Sequence, residues 1–256
     1  MILLALLGCV EPTDDAPRGG LDDAPCPDDM ALTAGVCIDV AETVLVGELG
    51  RKDQADSWPD SPTRAVAEVH LGEVPTVFAS YYQGAAACEN VGKRMCTAEE
   101  WQGACAPNGT AFPWGDHGEA SERCAVVDAD EQPVVEALQP AGSYPECVSS
   151  DGVYDMLGNA WEWADGGNDA DGLPTPAKLG GAYYVGYEAA HCGAPPNLEH
   201  PPEFDGTIAV RCCIEPDPPQ ALGARVSPPT FGDRSWPSRQ ASWGSPTSAR
   251  APSSTR

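Results

Sequence analysis

The sequence predicts an α+β domain with low regular secondary structure that is stapled by disulfide bonds. The chain of 256 residues contains 27 glycines and 26 prolines, about a fifth of the total, which is too many for a helical bundle and typical of a loop-rich fold. Hydrophobic residues make up 42% of the chain, which is enough for a real core. There are 11 cysteines and no C-x-x-C pair, so disulfides in an oxidising compartment explain them better than a zinc or thioredoxin-like site.

Two short helices are predicted near the middle of the chain. The first is expected to start at Thr76, which can act as its N-cap, and to end near Gly92, where a C-terminal glycine is favoured. The second is expected to start at Thr97, because Glu100 follows three residues later with the spacing of a capping box. Helix content should therefore be small and confined to this region.

Two strands and a tail are predicted in the second half of the chain. Residues 179–184 contain a Gly-Gly pair that would allow close backbone approach, and residues 207–214 are rich in β-branched side chains. The composition changes after residue 214, where Ser, Pro and basic residues become frequent and acidic residues become rare. Residues 215–256 are therefore predicted to be a disordered Pro/Ser-rich tail.

The N-terminus resembles a bacterial lipoprotein signal. Residues 1–9 end in Leu-Leu-Gly-Cys, the pattern of a lipobox in which Cys9 receives the lipid. No basic residue precedes the short apolar run, so the alternative is a buried N-terminal strand with an incidental cysteine. Residues 10–25, with several Asp, Pro and Gly, read as an acidic flexible tether. We expect an exported protein of the bacterial cell envelope, attached to the membrane by the lipid anchor only.

The net charge of the chain argues against two classes of partner. With 39 acidic and 14 basic residues the formal charge is −25, so the surface should repel nucleic acid and anionic lipid headgroups. No other stretch approaches the roughly 18 apolar residues of a membrane-spanning helix. Once Cys9 is assigned to the lipid, ten cysteines remain, and this even number fits a fully disulfide-bonded domain.

The segment 151–163 carries a family resemblance. Its sequence, Asp-Gly-Val-Tyr-Asp-Met-Leu-Gly-Asn-Ala-Trp-Glu-Trp, resembles the signature segment of the formylglycine-generating enzymes, also called sulfatase-modifying factors. Four other segments resemble elements of that family in the same order: 88–105, 112–116, 179–184 and 207–213. The resemblance covers residues 26–214 and implies one domain with the family's fold, which is similar to that of C-type lectins.

Five disulfide bonds are expected. The resemblance implies two of them, Cys88–Cys212 and Cys105–Cys192, and the opening run of the domain makes a local Cys26–Cys37 bond plausible. The four remaining cysteines allow three connectivities. Because Cys212 and Cys213 are adjacent on a predicted strand, their side chains should point to opposite faces, so Cys213 needs a partner other than the first helix. We favour Cys96–Cys213 and Cys124–Cys147.

The resemblance also implies a structural calcium ion in the segment 151–163. Its ligands would be Asp155 and Glu162 through their carboxylates, and Gly158 and Ala160 through their backbone carbonyls. This donor set is chemically suitable, since Ca²⁺ takes six to eight hard oxygen ligands at about 2.3–2.6 Å. The alternative is an ordinary turn that is closed by hydrogen bonds to the carboxylates of Asp155 and Glu162.

The residues that perform the family's reaction are replaced in this sequence. Formylglycine-generating enzymes oxidise a cysteine of a client sulfatase with copper and oxygen, and two cysteines after the Gly-Gly strand hold the metal, because soft thiolates select Cu(I). The corresponding positions here are Val185 and Ala190, so copper is not expected.

The resemblance therefore implies a non-catalytic, calcium-stabilised binding module whose ligand would be a protein, a peptide or a glycan. Tyr183, Tyr184 and Tyr187 would line the groove, unless they fill the core. The alternative function is that of a formylglycine-generating oxidoreductase acting on protein cysteine residues.

Overall fold

The computed structural model describes six stretches of the chain: 25–50, 63–117, 120–128, 130–186, 190–199 and 206–218. The predicted lipidation site Cys9, the tether as far as residue 24, and the tail from residue 219 lie outside the described residues. The backbone N–H of Asp217 donates to the carbonyl oxygen of Pro25 at 2.8 Å, so the start of the predicted tail contacts the last residue of the predicted tether. The prediction of a disordered tail is therefore wrong for residues 215–218, which the structure describes.

The regular structure of the described residues consists of short strands and two helices. The helices are α1 (Tyr81–Glu89) and α2 (Ala98–Cys105). The strands are β1 (Met30–Thr33), β2 (Val36–Asp39), β3 (Thr43–Val46), β4 (Val66–Val69), β5 (Arg94–Met95), β6 (Trp161–Asn168), β7 (Pro174–Leu179), β8 (Asn197–Leu198), β9 (Ile208–Val210) and β10 (Cys212–Ile214). The predicted low content of regular structure is confirmed. Within the described stretches, no helix is both long and apolar enough to cross a membrane.

The strands form three small sheets. Their orders are β1-β2-β10-β5, β3-β4 and β8-β7-β6-β9, with antiparallel pairing throughout except for the parallel pair β6 and β9. The predicted continuous strand 207–214 is therefore wrong, since β9 and β10 belong to different sheets. Arg211 lies between them and is fully buried, and its guanidinium hydrogen-bonds to atoms of three other segments. The chain changes sheet where this side chain turns inward.

Helix α1 starts later than the sequence suggested. Ser80 is its N-cap, and Ser80 and Gln83 form a complete capping box. The hydroxyl of Thr76 instead accepts a hydrogen bond from the backbone N–H of Leu45 at 2.9 Å, and Phe78 has a positive φ of 62°, which is incompatible with a helix. The predicted start at Thr76 is wrong because a neighbouring strand uses that hydroxyl. The capping box of α2, from Thr97 to Glu100, is confirmed.

The predicted strand 179–184 ends at its first residue. Strand β7 stops at Leu179, and Gly180 and Gly181 adopt positive φ values of 87° and 76°. A Cβ atom on Gly180 would lie 2.9 Å from the carbonyl oxygen of Met156, so the expected close backbone approach is present. The two glycines turn the chain out of the sheet, and this turn places the following residues beside segment 151–163.

Five disulfides among the described residues join parts of the domain that are mostly distant in sequence. Those of the structure are Cys26–Cys37, Cys88–Cys212, Cys96–Cys213, Cys105–Cys192 and Cys124–Cys147, and these are the pairs that the sequence analysis favoured. The adjacent Cys212 and Cys213 attach β10 to α1 on one side and to the residue after β5 on the other. Two hydrophobic clusters fill the interior, one around Trp101 and the other around Trp163.

Candidate functional site

The segment 151–163 forms a tight loop that leads into β6. Asp155 and Asn159 both have a φ of 55°, which is the left-handed region that Asp and Asn tolerate better than most residues. Gly158 has a φ of 72°, and a Cβ atom there would lie 2.2 Å from the carbonyl oxygen of Ala125. The side-chain amide of Asn159 donates to the carboxylate of Glu42 at 3.0 and 3.2 Å. The Gly-Asn pair thus curls the backbone around a buried acid.

A buried ion pair anchors the start of β6. Arg211 donates from Nε to Glu162 Oε2 at 2.7 Å and from Nη2 to Glu162 Oε1 at 2.6 Å, and neither side chain is exposed to solvent. The indole N–H of Trp101 donates to Glu162 Oε2 at 2.6 Å. Arg211 also donates to the carbonyl oxygens of Asp39 and Tyr154, at 2.8 and 2.9 Å. Both oxygens of Glu162 are therefore already hydrogen-bonded within the protein.

The surroundings of this pair contain more carboxylates than cations. Burial raises the pKa of Glu42 well above its ordinary value, and the nearby charges of Asp155 and Glu162 raise it further. Burial also raises the pKa of Asp155 to about 6, although the backbone N–H of Gly142, which donates to Asp155 Oδ2 at 2.6 Å, lowers it. Among the described residues, Arg211 is the one cation named beside the acidic side chains Glu42, Asp155 and Glu162, so this cluster carries an excess of negative charge whenever all three are ionised.

Two features of this cluster bear on the predicted calcium ligands Asp155, Gly158, Ala160 and Glu162. The excess of buried carboxylate fits a cation in charge, but Glu162 does not fit as a ligand in this arrangement because Arg211 and Trp101 use its oxygens. In the part of the chain that the structure describes, no three His, Cys, Asp or Glu side chains are grouped in a way that could hold a metal ion. Calcium binding at these four residues stays a prediction.

Val185 and Ala190, the two positions that the sequence analysis assigned to the family's copper-binding cysteines, lie beside the same glycine. A Cβ atom on Gly181 would lie 3.5 Å from Cγ1 of Val185 and 3.3 Å from Cβ of Ala190, so both side chains border the same glycine. Ala190 is buried and Val185 is half-buried. The fold thus brings these two positions together, and the side chains they carry are hydrocarbon.

The tyrosines of the predicted groove are partly on the surface. The rings of Tyr183 and Tyr184 meet edge to face with their centroids 5.1 Å apart, and Tyr184 is 43% exposed. The hydroxyls of Tyr184 and Thr207 lie 3.0 Å apart. Tyr183 is half-buried, so it contributes to both core and surface, and Tyr187 lies outside the described residues.

A small apolar pocket of about 170 Å³ lies beside the first glycine of the Gly-Gly turn. Trp161, Leu179, Ala194 and Pro195 contribute its apolar walls. The ammonium of Lys178 lies 5.4 Å from the centroid of the Trp161 ring and also pairs with Glu199 at 2.6 Å. The pocket has the size of one side chain rather than of a drug-sized ligand.

Sequence reasoning missed Glu42 and the role of Arg211. Glu42 is a fully buried acid between Ala41 and Thr43, directly before the β-branched residues of β3. An acidic residue at the head of such a run was the available signal, but the sequence does not show which distant groups it meets. Arg211 directly precedes Cys212 in the sequence, and this position does not indicate that it pairs with Glu162.

The comparisons with known proteins agree with this architecture. Residues 39–203 match the model of the sulfatase-modifying factor enzyme 1-like domain, and the chain belongs to this family. It is 26% identical over 144 residues to the formylglycine-generating enzyme of Bos taurus, covering 52% of this chain and 37% of that protein. It is 30% identical over 99 residues to the inactive C-alpha-formylglycine-generating enzyme 2 of Mus musculus, covering 36% of this chain and 32% of that protein. The chain thus spans about a third of the length of each.

A solved structure shows the same fold. The crystal structure of CarF superposes with a TM-score of 0.50 at 16% sequence identity, covering 71% of this chain and 86% of that chain. The predicted α+β, disulfide-stapled fold of the formylglycine-generating enzymes, similar to that of C-type lectins, is confirmed.

Proposed function

We propose that this protein is an exported, lipid-anchored, non-catalytic member of the sulfatase-modifying factor family that binds a ligand at the bacterial cell envelope. The observation that carries the proposal is the pair Val185 and Ala190, which border Gly181 where the family resemblance puts two copper-binding thiolates. Neither side chain can ligate a metal, and Cu(I) is held in proteins by soft sulfur ligands.

The other cysteines do not offer a substitute for the missing thiols. The ten cysteines among the described residues are all in disulfide bonds, and a thiolate, rather than a disulfide sulfur, is the nucleophile and metal ligand. Disulfides of this number also favour export to an oxidising compartment, which supports the lipoprotein interpretation of residues 1–9 and Cys9. One of the relatives named above is described as inactive, which is a precedent for loss of the reaction within this fold.

The ligand would bind on the surface around the former reaction site. Tyr183 and Tyr184 present two aromatic rings and a hydroxyl group there, and aromatic side chains of this kind are enriched in protein and peptide interfaces. The pocket next to Trp161 can accept one apolar side chain of such a ligand. A structural calcium ion at Asp155, Gly158, Ala160 and Glu162 is part of the proposal, supported by the buried carboxylate excess.

The decisive experiment incubates the purified chain with copper and a Cys-x-Pro-x-Arg peptide and measures the peptide mass. We expect no aldehyde from the natural protein and no Cu(I) binding in competition with a chelator. The double variant Val185→Cys with Ala190→Cys should gain Cu(I) affinity, because the two thiolates would lie beside the same glycine, whereas Val185→Cys alone should gain little. Aldehyde formation by the natural protein would refute the proposal in favour of the oxidoreductase alternative.

Lipid attachment is tested separately. In cells of a bacterium that processes lipoproteins, the natural chain should partition into the detergent phase, and Cys9→Ser should move it to the aqueous phase. Equal partitioning of the two proteins would exclude Cys9 as the site of lipidation.

A further inference from the structure

A second groove lies between the start of α2 and the edge of the sheet that β6, β7 and β8 form. Its volume is about 510 Å³, which is within the range of about 300–1,000 Å³ that ligand sites occupy. Two acidic residues, Glu99 and Asp165, line it together with Gly166, Pro196 and Leu198. It shares no lining residue with the pocket beside Trp161.

The charge of this groove is negative and is not neutralised within the described part of the chain. Glu99 and Asp165 are the titratable residues that line it, and neither forms an ion pair with another described residue. Many described basic side chains pair with carboxylates elsewhere: Lys93, Arg94, Arg123, Lys178 and Arg211. In a chain with a net charge of −25, the groove therefore attracts cations.

The walls of the groove are held in place by hydrogen bonds. The backbone N–H of Asp165 donates to the carbonyl oxygen of Cys96 at 2.7 Å, and its Oδ1 accepts from the N–H of Gly167 at 2.8 Å. The side-chain amide of Gln102, another lining residue, donates to the carbonyl oxygen of Ala194 at 2.9 Å and ties the segment before β8 to α2. A pre-formed groove binds more tightly, because little conformational entropy is lost on binding.

The groove also has an apolar part. A Cβ atom on Gly166 would lie 2.3 Å from the carbonyl oxygen of Thr175 and 3.2 Å from Cδ2 of Leu198, so Gly166 admits no side chain and Leu198 lies close to its backbone. Leu198 is 60% exposed although it lies in a strand, and Pro196 also lines the groove. Lys and Arg side chains commonly lay an aliphatic stem along apolar surface while the charged end meets a polar group.

We propose that this groove binds an extended peptide segment of a partner protein in which a lysine or arginine neighbours an apolar side chain. The basic head group contacts Asp165 and Glu99, and the apolar side chain packs against Leu198. Acidic and apolar residues line one cavity, so a ligand that offers both contacts is complementary where a free metal ion or a polyanion is not. This site is separate from the Tyr183–Tyr184 surface and does not rest on the function proposed for it.

The experiment measures binding of labelled peptides to the full chain by fluorescence anisotropy and by backbone amide NMR shifts. The probes are a peptide of alternating leucine and arginine, the same peptide with serine in place of leucine, and the same peptide with glutamate in place of arginine. We expect saturable binding of the first alone, with shifts confined to residues 97–102, 165–167 and 196–198. Added salt should weaken it, because part of the attraction is between charges.

Two double variants separate the groove from the general charge of the protein. Glu99→Gln with Asp165→Asn should weaken binding about tenfold, as expected for the loss of two partly exposed ion pairs, while the amide oxygen of the substituted side chain can still accept from the N–H of Gly167. The matched control is Glu89→Gln with Asp169→Asn. It removes the same charge from exposed positions, and Asp169 Oδ1 likewise accepts from backbone N–H groups.

The outcomes either support or overturn the proposal. Loss of binding in the first variant and its retention in the control support it. Equal loss in both variants shows non-specific attraction to a negative surface and overturns it. Equal binding of the leucine and serine peptides would show that Leu198 and Pro196 do not contribute to recognition. Absence of saturable binding by the leucine and arginine peptide would show that the groove does not bind such a segment. Either result overturns the proposal and has no bearing on the proposed binding at the Tyr183–Tyr184 surface.

Discussion

Replacement of Glu162 by Gln separates the two roles that sequence and structure suggest for this residue. In the structure Glu162 accepts three hydrogen bonds of 2.6–2.7 Å, two from Arg211 and one from Trp101, and it is completely buried. A Gln side chain keeps one oxygen but turns an NH₂ group toward donors, so Arg211 would lose the carboxylate that contacts it directly. Removing one partner of a buried ion pair typically costs about 3–5 kcal/mol. We expect a loss of this size in the free energy of unfolding.

The assay is urea unfolding of the oxidised protein, followed by tryptophan fluorescence and by far-UV circular dichroism, in calcium and in chelator. If Glu162 serves the ion pair, Glu162→Gln lowers the unfolding midpoint equally in both buffers at an unchanged slope. The control is Glu146→Gln, which removes the partner of Arg123 from a surface pair at 3.2 Å, where solvent screening leaves little to lose.

Two results would refute this reasoning. A cost for Glu162→Gln no larger than that for Glu146→Gln in chelator would show that the buried pair does not stabilise the fold. A cost that appears only in calcium would show that Glu162 is a calcium ligand, as the family resemblance implies, and that its contacts with Arg211 give way to the metal.

Three further predictions concern stability. Gly158→Ala should lower the free energy of unfolding by about 3 kcal/mol or more in urea titrations. The left-handed backbone conformation accounts for about 1–2 kcal/mol of this loss, and the 2.2 Å approach of the new Cβ atom to a carbonyl oxygen accounts for the rest. Gly152→Ala is the control, because its φ is 87° but the space around it is open, so it should lose only the contribution of the backbone conformation. Removing Cys88–Cys212 by alanine substitution should cost about 3 kcal/mol in thermal or urea unfolding, because Cys96–Cys213 already joins the same two parts of the chain and leaves only a short loop for this bond to close. Removing Cys88–Cys212 and Cys96–Cys213 together should cost more than the two single removals added, because only the double variant opens the long loop; additive costs would contradict the loop-entropy argument. Burial raises the pKa of Asp39 to about 6, so the folded state binds this proton more tightly than the unfolded chain does. The stability of the natural protein relative to Asp39→Asn should therefore fall by up to about 3 kcal/mol as the pH rises from about 4 to about 6. A stability difference that does not change over this pH range would contradict the raised pKa of Asp39.

The features that were predictable from the sequence depend on local spacing or on a pattern shared with relatives. The capping box of α2 needs only Thr97 and Glu100, three residues apart, and the two long disulfides follow the family pattern. The start of α1 could not be read in the same way. Thr76 and Ser80 can both act as N-caps, and the choice between them depends on Leu45, whose backbone N–H donates a hydrogen bond to the hydroxyl of Thr76.

The buried cluster could not be predicted because it is assembled from three distant parts of the chain. Glu162 and Arg211 come together only when β6 pairs with β9, and Glu42 joins them only when the segment after β2 contacts Asn159. A sequence shows that a charged residue lies in an apolar run, but it does not show which opposite charge will compensate it. The pairing of Arg211 with Glu162 is for the same reason visible only in three dimensions.

The sulfur bridges also determine how the domain would respond to tensile load. If the chain is held at its N-terminal end and pulled from beyond β10, the shortest covalent path runs through Cys26–Cys37, along the backbone to Cys88, and across to Cys212. Backbone between Cys88 and Cys212, which includes the loop around Glu162 and the Gly-Gly turn, is bypassed by this path. Stretching would therefore extend the segment between Cys37 and Cys88 and leave the proposed binding surface mechanically shielded.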